Sequence, residues 1–303
     1  MAKSILPVLL IVLFVAGSAW IISNNNSKNE SGSSEISIKG SDTEVQLVSA
    51  LAEEFLIENQ DTQVSVTGGG SGVGIASLIN GEIDLANSSR EMKDAEKEQV
   101  ESDGTQLYEF IFARDKLGVI VHKENPLTRI TKENLSKIYK GEITNWSEIG
   151  GEDQKIVLYG RQTTSGTYEY FRSTAVEADY SPSMLNMEGT QAILDAVISD
   201  KNGIGYVGAG YLKDENGDIN DNVVVLELSE DGENFISPFS GEDGYLLDRP
   251  LYQYFTSVSN IQAIKSFLEF EISDNGKEVV ERNGFFPIQN SDSTKNQEVL
   301  NNL

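Results

Sequence analysis

The sequence predicts an α/β fold with mixed, mostly parallel sheets. Short apolar strand patterns alternate with amphipathic helical patterns along the chain. Several of those strands end in Gly/Ser/Thr turns that open the next helix. The bulk composition agrees: 303 residues, 39% apolar, suit a packed core in one or two domains.

The elements read in order. Residues 36–39 form a strand with Ile36 and Ile38 on one face, and Gly40, Ser41, Asp42 and Thr43 turn it into a helix. Val45, Val48, Leu51, Ala52 and Phe55 carry that helix at the 3.6-residue period. A second strand at 63–67 is broken by the glycine run 68–74 (GGGSGVG), after which Ile75, Leu78 and Ile79 mark a short helix. A third strand at 83–86 ends in Asn87, Ser88, Ser89 and Arg90. The charged run 91–101 reads as a solvated helix face. Residues 117–121 form a further strand, and 135–138 a helix stopped by Gly141. A strand at 156–159 leads through 160–167 (GRQTTSGT) into a helix near Tyr168, and 204–207 (IGYV) is one more strand.

Charge and residue counts exclude several classes of function. There are 48 acidic and 23 basic residues, a formal net charge of −25. That is the opposite of the basic footprint a nucleic-acid binder needs, and it disfavours docking on anionic lipid. It reads as a solubilising surface. With no cysteine there are no disulfides, thiolate metal sites or lipidated N-terminal cysteine. The single histidine, His122, follows an apolar strand and reads as a strand-end surface residue, and no G-x-S-x-G elbow is present. No His/Asp cluster has metal spacing, so neither metal nor cofactor is expected. Trp146 reads as packing, and the acidic stretch 214–221 (DENGDIND) as a turn without the spacing of a calcium loop.

The N-terminus carries a targeting signal. Residues 5–22 are uncharged and almost wholly apolar, with Lys3 before them and Trp20 near the end. Their 18 residues straddle a signal-peptide core and a membrane span, so 1–22 is read as a signal peptide or an N-terminal anchor. Gly17, Ser18 and Ala19 offer a small-residue cleavage site for the first reading. Residues 23–34 are a flexible polar linker. Either way the remainder is expected outside the cytoplasm.

The turns at 40–43, 68–74 and 160–167 share one design. Helix N-termini expose unpaired N–H groups and a partial positive charge, glycine admits close approach, and Ser and Thr add O–H donors. Together they bind an oxyanion. The run 68–74 fits neither G-x-G-x-x-G nor a P-loop, so a small free anion is expected rather than a nucleotide. Arg90 and Arg161 stand beside these turns as bidentate donors.

The motifs GSDT, GGGSGVGI, GEIDLANSSR, ITNWSEIGG and GRQTTSGTYEYF, with GIGYVG and NGFFP later, resemble the phosphate-binding proteins of ABC importers. The resemblance runs from about Ile36 to Pro287. It implies a two-lobed periplasmic-binding-protein fold of type II, with ligand in the inter-lobe cleft. Residues 35–114 and 238–303 would form one lobe and 115–237 the other. Matching positions make Ser41, Asp42 and Thr43 one wall of the cleft, and Gly70, Ser71 and Gly72 a second. Ser89 and Arg90 make a third; Arg161, Ser165, Gly166 and Thr167 come from the other lobe. Inorganic phosphate and the importer's permease subunits are the partners implied, and a monomer is expected.

One departure concerns the ligand's proton. Well-known members place a carboxylate where Ser89 aligns, to accept it. Asp42 on the neighbouring turn is the substitute expected here, with N-capping as its other reading. Binding of sulfate, molybdate or tungstate, and a membrane-tethered phosphate sensor, are the alternatives. A hydrolase of phosphate esters is disfavoured, since no histidine stands near a candidate nucleophile.

Overall fold

The computed structural model describes residues 34–213 and 217–303. The N-terminal apolar run, nearly all of the linker and the start of the acidic turn at 214 lie outside the described residues. Among the described residues no helix is long and apolar enough to cross a membrane.

The elements, in chain order, are β1 (Ser34–Gly40), α1 (Val45–Glu58), β2 (Thr62–Thr67), α2 (Ser71–Ile79), β3 (Leu85–Ser88) and α3 (Asp94–Glu101). Next come β4 (Leu107–His122), β5 (Arg129–Thr131), α4 (Lys132–Lys140), β6 (Val157–Arg161), α5 (Gly166–Phe171), β7 (Leu185–Met187) and α6 (Thr190–Ser199). The chain closes with β8 (Gly203–Gly208), β9 (Val223–Ser229), β10 (Asp248–Thr256), α7 (Ile261–Glu271), α8 (Asp274–Arg282) and α9 (Asn290–Asn301). Local chemistry explains the better-marked ones. In α1, Leu47, Val48, Leu51, Ala52 and Phe55 bury one stripe. Each of the larger side chains contributes about 1.5–3 kcal/mol by burial. In α4, Thr131 accepts from the Asn134 N–H at the start, and Gly141, at φ 79°, ends the helix in the left-handed region.

The strands form one path, β2-β1-β3-β10-β4-β8-β6-β7, with β9 joining β4 and β5. The pairs β1/β2, β1/β3, β5/β9, β6/β7 and β6/β8 are parallel. Every antiparallel pair involves β4 or β10. These two strands make the sheet mixed, because they carry the chain from one half of the molecule to the other. β4 pairs with β10 along residues 107–116 and with β8 from Leu117 onward.

The apolar interior divides at the same place. One cluster joins Ile36, Leu51, Phe112, Ala113, Leu251 and Phe267; another joins Leu117, Trp146, Phe171, Leu226, Tyr245 and Leu247. Trp146 is buried in the second. His122 ends β4 but is only 7% exposed, so it is not the surface residue expected; its Nδ1 accepts from the Glu124 N–H at 3.1 Å.

One buried acid in the first half makes stability depend on pH. Glu271, at the end of α7, is fully buried with Gln253 Nε2 donating to it at 3.0 Å. Burial pushes its carboxyl well above the ordinary carboxylate range. Such a group contributes stability that is complete below its unfolded pKa and is lost as pH rises toward its folded pKa. Glu271→Gln is therefore expected to raise Tm over wild type near pH 8 and to give no gain near pH 4. Thermal melts at both pH values check the crossover.

Candidate functional site

Strand order brings the Gly/Ser/Thr turns together. β2, β1 and β3 are adjacent and parallel, so the turns after them open on one edge of the sheet. Backbone bonds tie the turns to each other: the Gly70 N–H donates to the Gly40 carbonyl at 2.8 Å and the Ser41 N–H to the Asn87 carbonyl at 3.0 Å. The turn after β6 comes from the other half and meets them, with the Gly72 N–H donating to the Thr164 carbonyl at 2.9 Å. Gly70 has to be glycine. Its φ is 98°, and a Cβ would stand 2.7 Å from the Thr164 carbonyl oxygen.

Five hydroxyls meet where the turns converge. Ser41 Oγ donates to Ser89 Oγ at 3.0 Å. Ser71 Oγ lies 3.3 Å and Thr167 Oγ1 3.4 Å from the same atom. Thr43 Oγ1 lies 2.9 Å from Thr167 Oγ1. All five side chains are buried. Gly166 lies against this cluster, since a Cβ there would be 2.3 Å from Ser71 Oγ and 2.7 Å from Ser89 Oγ. Ser165 caps α5, its hydroxyl accepting from the Tyr168 N–H.

Two buried arginines, each neutralised by an aspartate, are tied to these turns: Arg249 donates to the Thr167 hydroxyl and Arg161 pairs with Asp42. Arg161 pairs through Nη2 with Asp42 Oδ2, and its Nη1 donates to Thr190 Oγ1 at 3.0 Å. Burial holds its pKa below the ordinary value, with Asp42 opposing that shift. The ring of Tyr206, stacked on Phe171 at 3.9 Å, places a hydroxyl that accepts from the Arg161 N–H. Arg249, on β10, donates from Nη2 to Asp115 Oδ2 at 2.8 Å and to Thr167 Oγ1 at 3.1 Å. Its Nη1 donates to the Ser89 carbonyl at 2.9 Å, and Tyr170 lies 5.1 Å beneath it.

Ser41, Thr43, Ser71, Ser89 and Thr167 thus converge, with Gly70, Gly72 and Gly166 as the close-approach positions. Asp42 is turned elsewhere. Its Oδ1 accepts from the Gly69 N–H at 2.7 Å while Oδ2 holds Arg161. Both oxygens are thus engaged, one by a backbone N–H of the neighbouring turn and the other by the Arg161 guanidinium. Arg90 lines a cavity with Ser89 and Arg249, but its guanidinium makes no hydrogen bond to the hydroxyls. Its guanidinium is bidentate to Glu96 at 2.8 and 2.7 Å, and Glu96 also closes the N-terminus of α3. Arg90→Ala is accordingly expected to change oxyanion affinity by less than about threefold, since a charge already paired with a carboxylate acts weakly. Calorimetric titration measures this.

The sequence reading missed Arg249, Asp115, Tyr211 and Glu44. The Tyr211 hydroxyl donates to the Asp42 carbonyl at 2.7 Å. Glu44, the residue before α1, is fully buried, and its carboxyl is pushed well above the ordinary range by burial. Two faint signals existed. Glu44 directly follows GSDT, and Arg249 interrupts an otherwise strand-like stretch.

The arrangement suits a small tetrahedral anion: hydroxyl and N–H donors, two guanidiniums and little net charge. Comparison with known proteins bears on which one. A family model described as the PBP superfamily domain matches residues 25–275. The phosphate-binding protein PstS of Staphylococcus saprophyticus is 28% identical over 286 residues, covering 92% of this chain and 88% of that protein. A putative phosphate ABC transporter substrate-binding protein from Clostridium perfringens, solved with bound phosphate, superposes with a TM-score of 0.75 at 27% identity. It covers 84% of this chain and 100% of its own. An ABC-type phosphate transport receptor from Vibrio cholerae superposes with a TM-score of 0.66 at 28% identity, with coverage of 84% and 100%.

Proposed function

The chain belongs to the PBP superfamily, and from that membership we propose that it is an extracytoplasmic solute-binding protein that captures inorganic phosphate and delivers it to an ABC importer. The observation that carries the reading is the convergence of Ser41, Thr43, Ser71, Ser89 and Thr167, with Arg249 donating to Thr167 and Arg161 held on Asp42, between Ser41 and Thr43 in the first turn. Each arginine is already balanced by Asp42 or Asp115, so the site adds charge-assisted donors without surplus charge. A chain with a net charge of −25 repels anions at long range. Capture then rests on these local donors and on closure of the two halves over the ligand.

In this reading residues 35–114 and 238–303 form one lobe and residues 115–237 the other. The protein acts as a monomer and as a receptor without catalytic activity. Residues 1–22 direct its export and either leave it or hold it at the membrane.

Titration of the chain with phosphate, sulfate, molybdate and tungstate tests the proposal. Phosphate is expected to bind most tightly. A response to another anion with no heat from phosphate would overturn the ligand and keep the oxyanion site. Sulfate is the competitor with a structural argument. Ser89 stands at the hub of the hydroxyls, and both Asp42 oxygens are engaged elsewhere.

A further inference from the structure

Asp42 stands between two hydroxyls of the cluster, Ser41 and Thr43, and is held from three sides. Its Oδ1 accepts from the Gly69 N–H at 2.7 Å, and its Oδ2 pairs with Arg161. The third hold falls on its backbone: the Tyr211 hydroxyl donates to the Asp42 carbonyl at 2.7 Å. Gly69 belongs to the turn after β2, whereas Arg161 ends β6 and Tyr211 follows β8. Two of the three holds therefore come from the other half of the molecule, whose core includes Leu158 of β6 and Tyr206 of β8.

The segment that carries Tyr211 is itself pinned. Ala209–Leu212 form a single short helical turn after β8. The Ala209 N–H donates to Asp115 Oδ1 at 3.2 Å, and Leu212 is buried in one cluster with Ile120 and Val207. Gly210 packs on Phe285, where a Cβ would stand 2.5 Å from the ring. Asp115 holds Arg249 with its other oxygen, so one carboxylate sets both the Tyr211 turn and the arginine that donates to Thr167. Burial, with Asp42 nearby, pushes the Tyr211 phenol up to about 12, which leaves it a donor at neutral pH.

We propose that Tyr211 is a positioning residue of the oxyanion site: from the opposite half it holds the Asp42 carbonyl, fixes the turn that carries Ser41 and Thr43, and so slows release of the bound anion. This rests on the phosphate reading above. The Asp42 carbonyl and the Thr43 N–H share one planar peptide unit and point in opposite directions. A donor on the carbonyl fixes that plane, and with it the direction of the N–H, which it also polarises for donation. The flanking hydroxyls are set by the same turn: Thr43 Oγ1 lies 2.9 Å from Thr167 Oγ1, and Ser41 Oγ 3.0 Å from Ser89 Oγ. The Tyr211 bond spans the two halves, so it exists only when they meet. It adds to the barrier for opening and not to the first encounter with the ligand.

Calorimetry with inorganic phosphate, and rapid-filtration release of radiolabelled phosphate from the full chain, test this. Tyr211→Phe removes one oxygen and keeps the ring. It is expected to weaken phosphate binding by about 3- to 10-fold through faster release, with the association rate within about twofold of wild type. Tyr139→Phe is the comparison. Its hydroxyl donates to the Tyr159 carbonyl at 3.2 Å within the second half, and its loss should leave affinity and release unchanged. Thermal melts without phosphate separate positioning from general stability. Unchanged release in Tyr211→Phe, equal effects of the two variants, or a lower Tm of the free chain with affinity intact would each overturn the proposal. Failure of wild type to bind phosphate at all would instead remove the functional reading, and this inference with it.

Discussion

Arg249→Leu is expected to destabilise the protein by about 3–5 kcal/mol, the largest effect of any single change in the site. The pair it breaks is almost fully buried, Arg249 at 1% and Asp115 at 0% side-chain exposure. Leucine would leave Asp115 charged in the interior, with the Ala209 N–H as its remaining donor at 3.2 Å. An uncompensated buried charge costs far more than the net worth of the pair, because two charges have already lost their water. The Asp115→Leu/Arg249→Leu double variant should recover most of the lost stability, since apolar replacement of a buried pair is often close to neutral. It should not recover phosphate binding, because Thr167 loses its cationic neighbour and the Ser89 carbonyl its donor. Chemical denaturation gives the first result and calorimetry the second. A single variant within about 1 kcal/mol of wild type would refute the argument.

Gly166→Ala is expected to weaken phosphate binding by roughly 5- to 150-fold, the equivalent of about 1–3 kcal/mol of overpacking. The added methyl would fall 2.3 Å from Ser71 Oγ and 2.7 Å from Ser89 Oγ. Those hydroxyls are fixed by their own partners, so the strain can be relieved only by parting the walls of the site. Gly166 is the first residue of α5, where alanine is the better helix former. The free chain should therefore keep its stability while the affinity falls. Equal loss of both would point to a general packing defect; unchanged phosphate affinity would place the ligand elsewhere.

Much of the site was legible in the sequence. Ser41, Thr43, Ser71, Ser89 and Thr167 all sit in strand-end turns, and turn chemistry is local: a few adjacent residues decide it. The glycines were legible for the same reason. The arginines were only half legible. The spacing to Ser165, Gly166 and Thr167 points to Arg161, whereas Arg90 has only its adjacency to Ser89. Adjacency along a chain does not set where a long side chain points, and Glu96, six residues on, holds Arg90 to α3. Arg249 takes a place in the site from 160 positions further along the chain than Ser89, brought there by β10 pairing antiparallel with β3 and β4. The first half of β4 was missed because Arg114, Asp115 and Lys116 break its apolar pattern. Those charges mark where the chain passes between the two cores.

The sequence by itself determined the α/β alternation, the oxyanion-binding character of the turns and the hydroxyls that line them. Periodicity and capping act over a few residues, and their signals survive without tertiary contacts. Only the tertiary structure decided which charges face those hydroxyls. It turned Asp42 to Arg161, sent Arg90 to Glu96, brought in Arg249 with Asp115, and buried Glu44. The physical reason is that a buried charge is tolerable only beside its partner, and partners are chosen by strand pairings that span the whole chain.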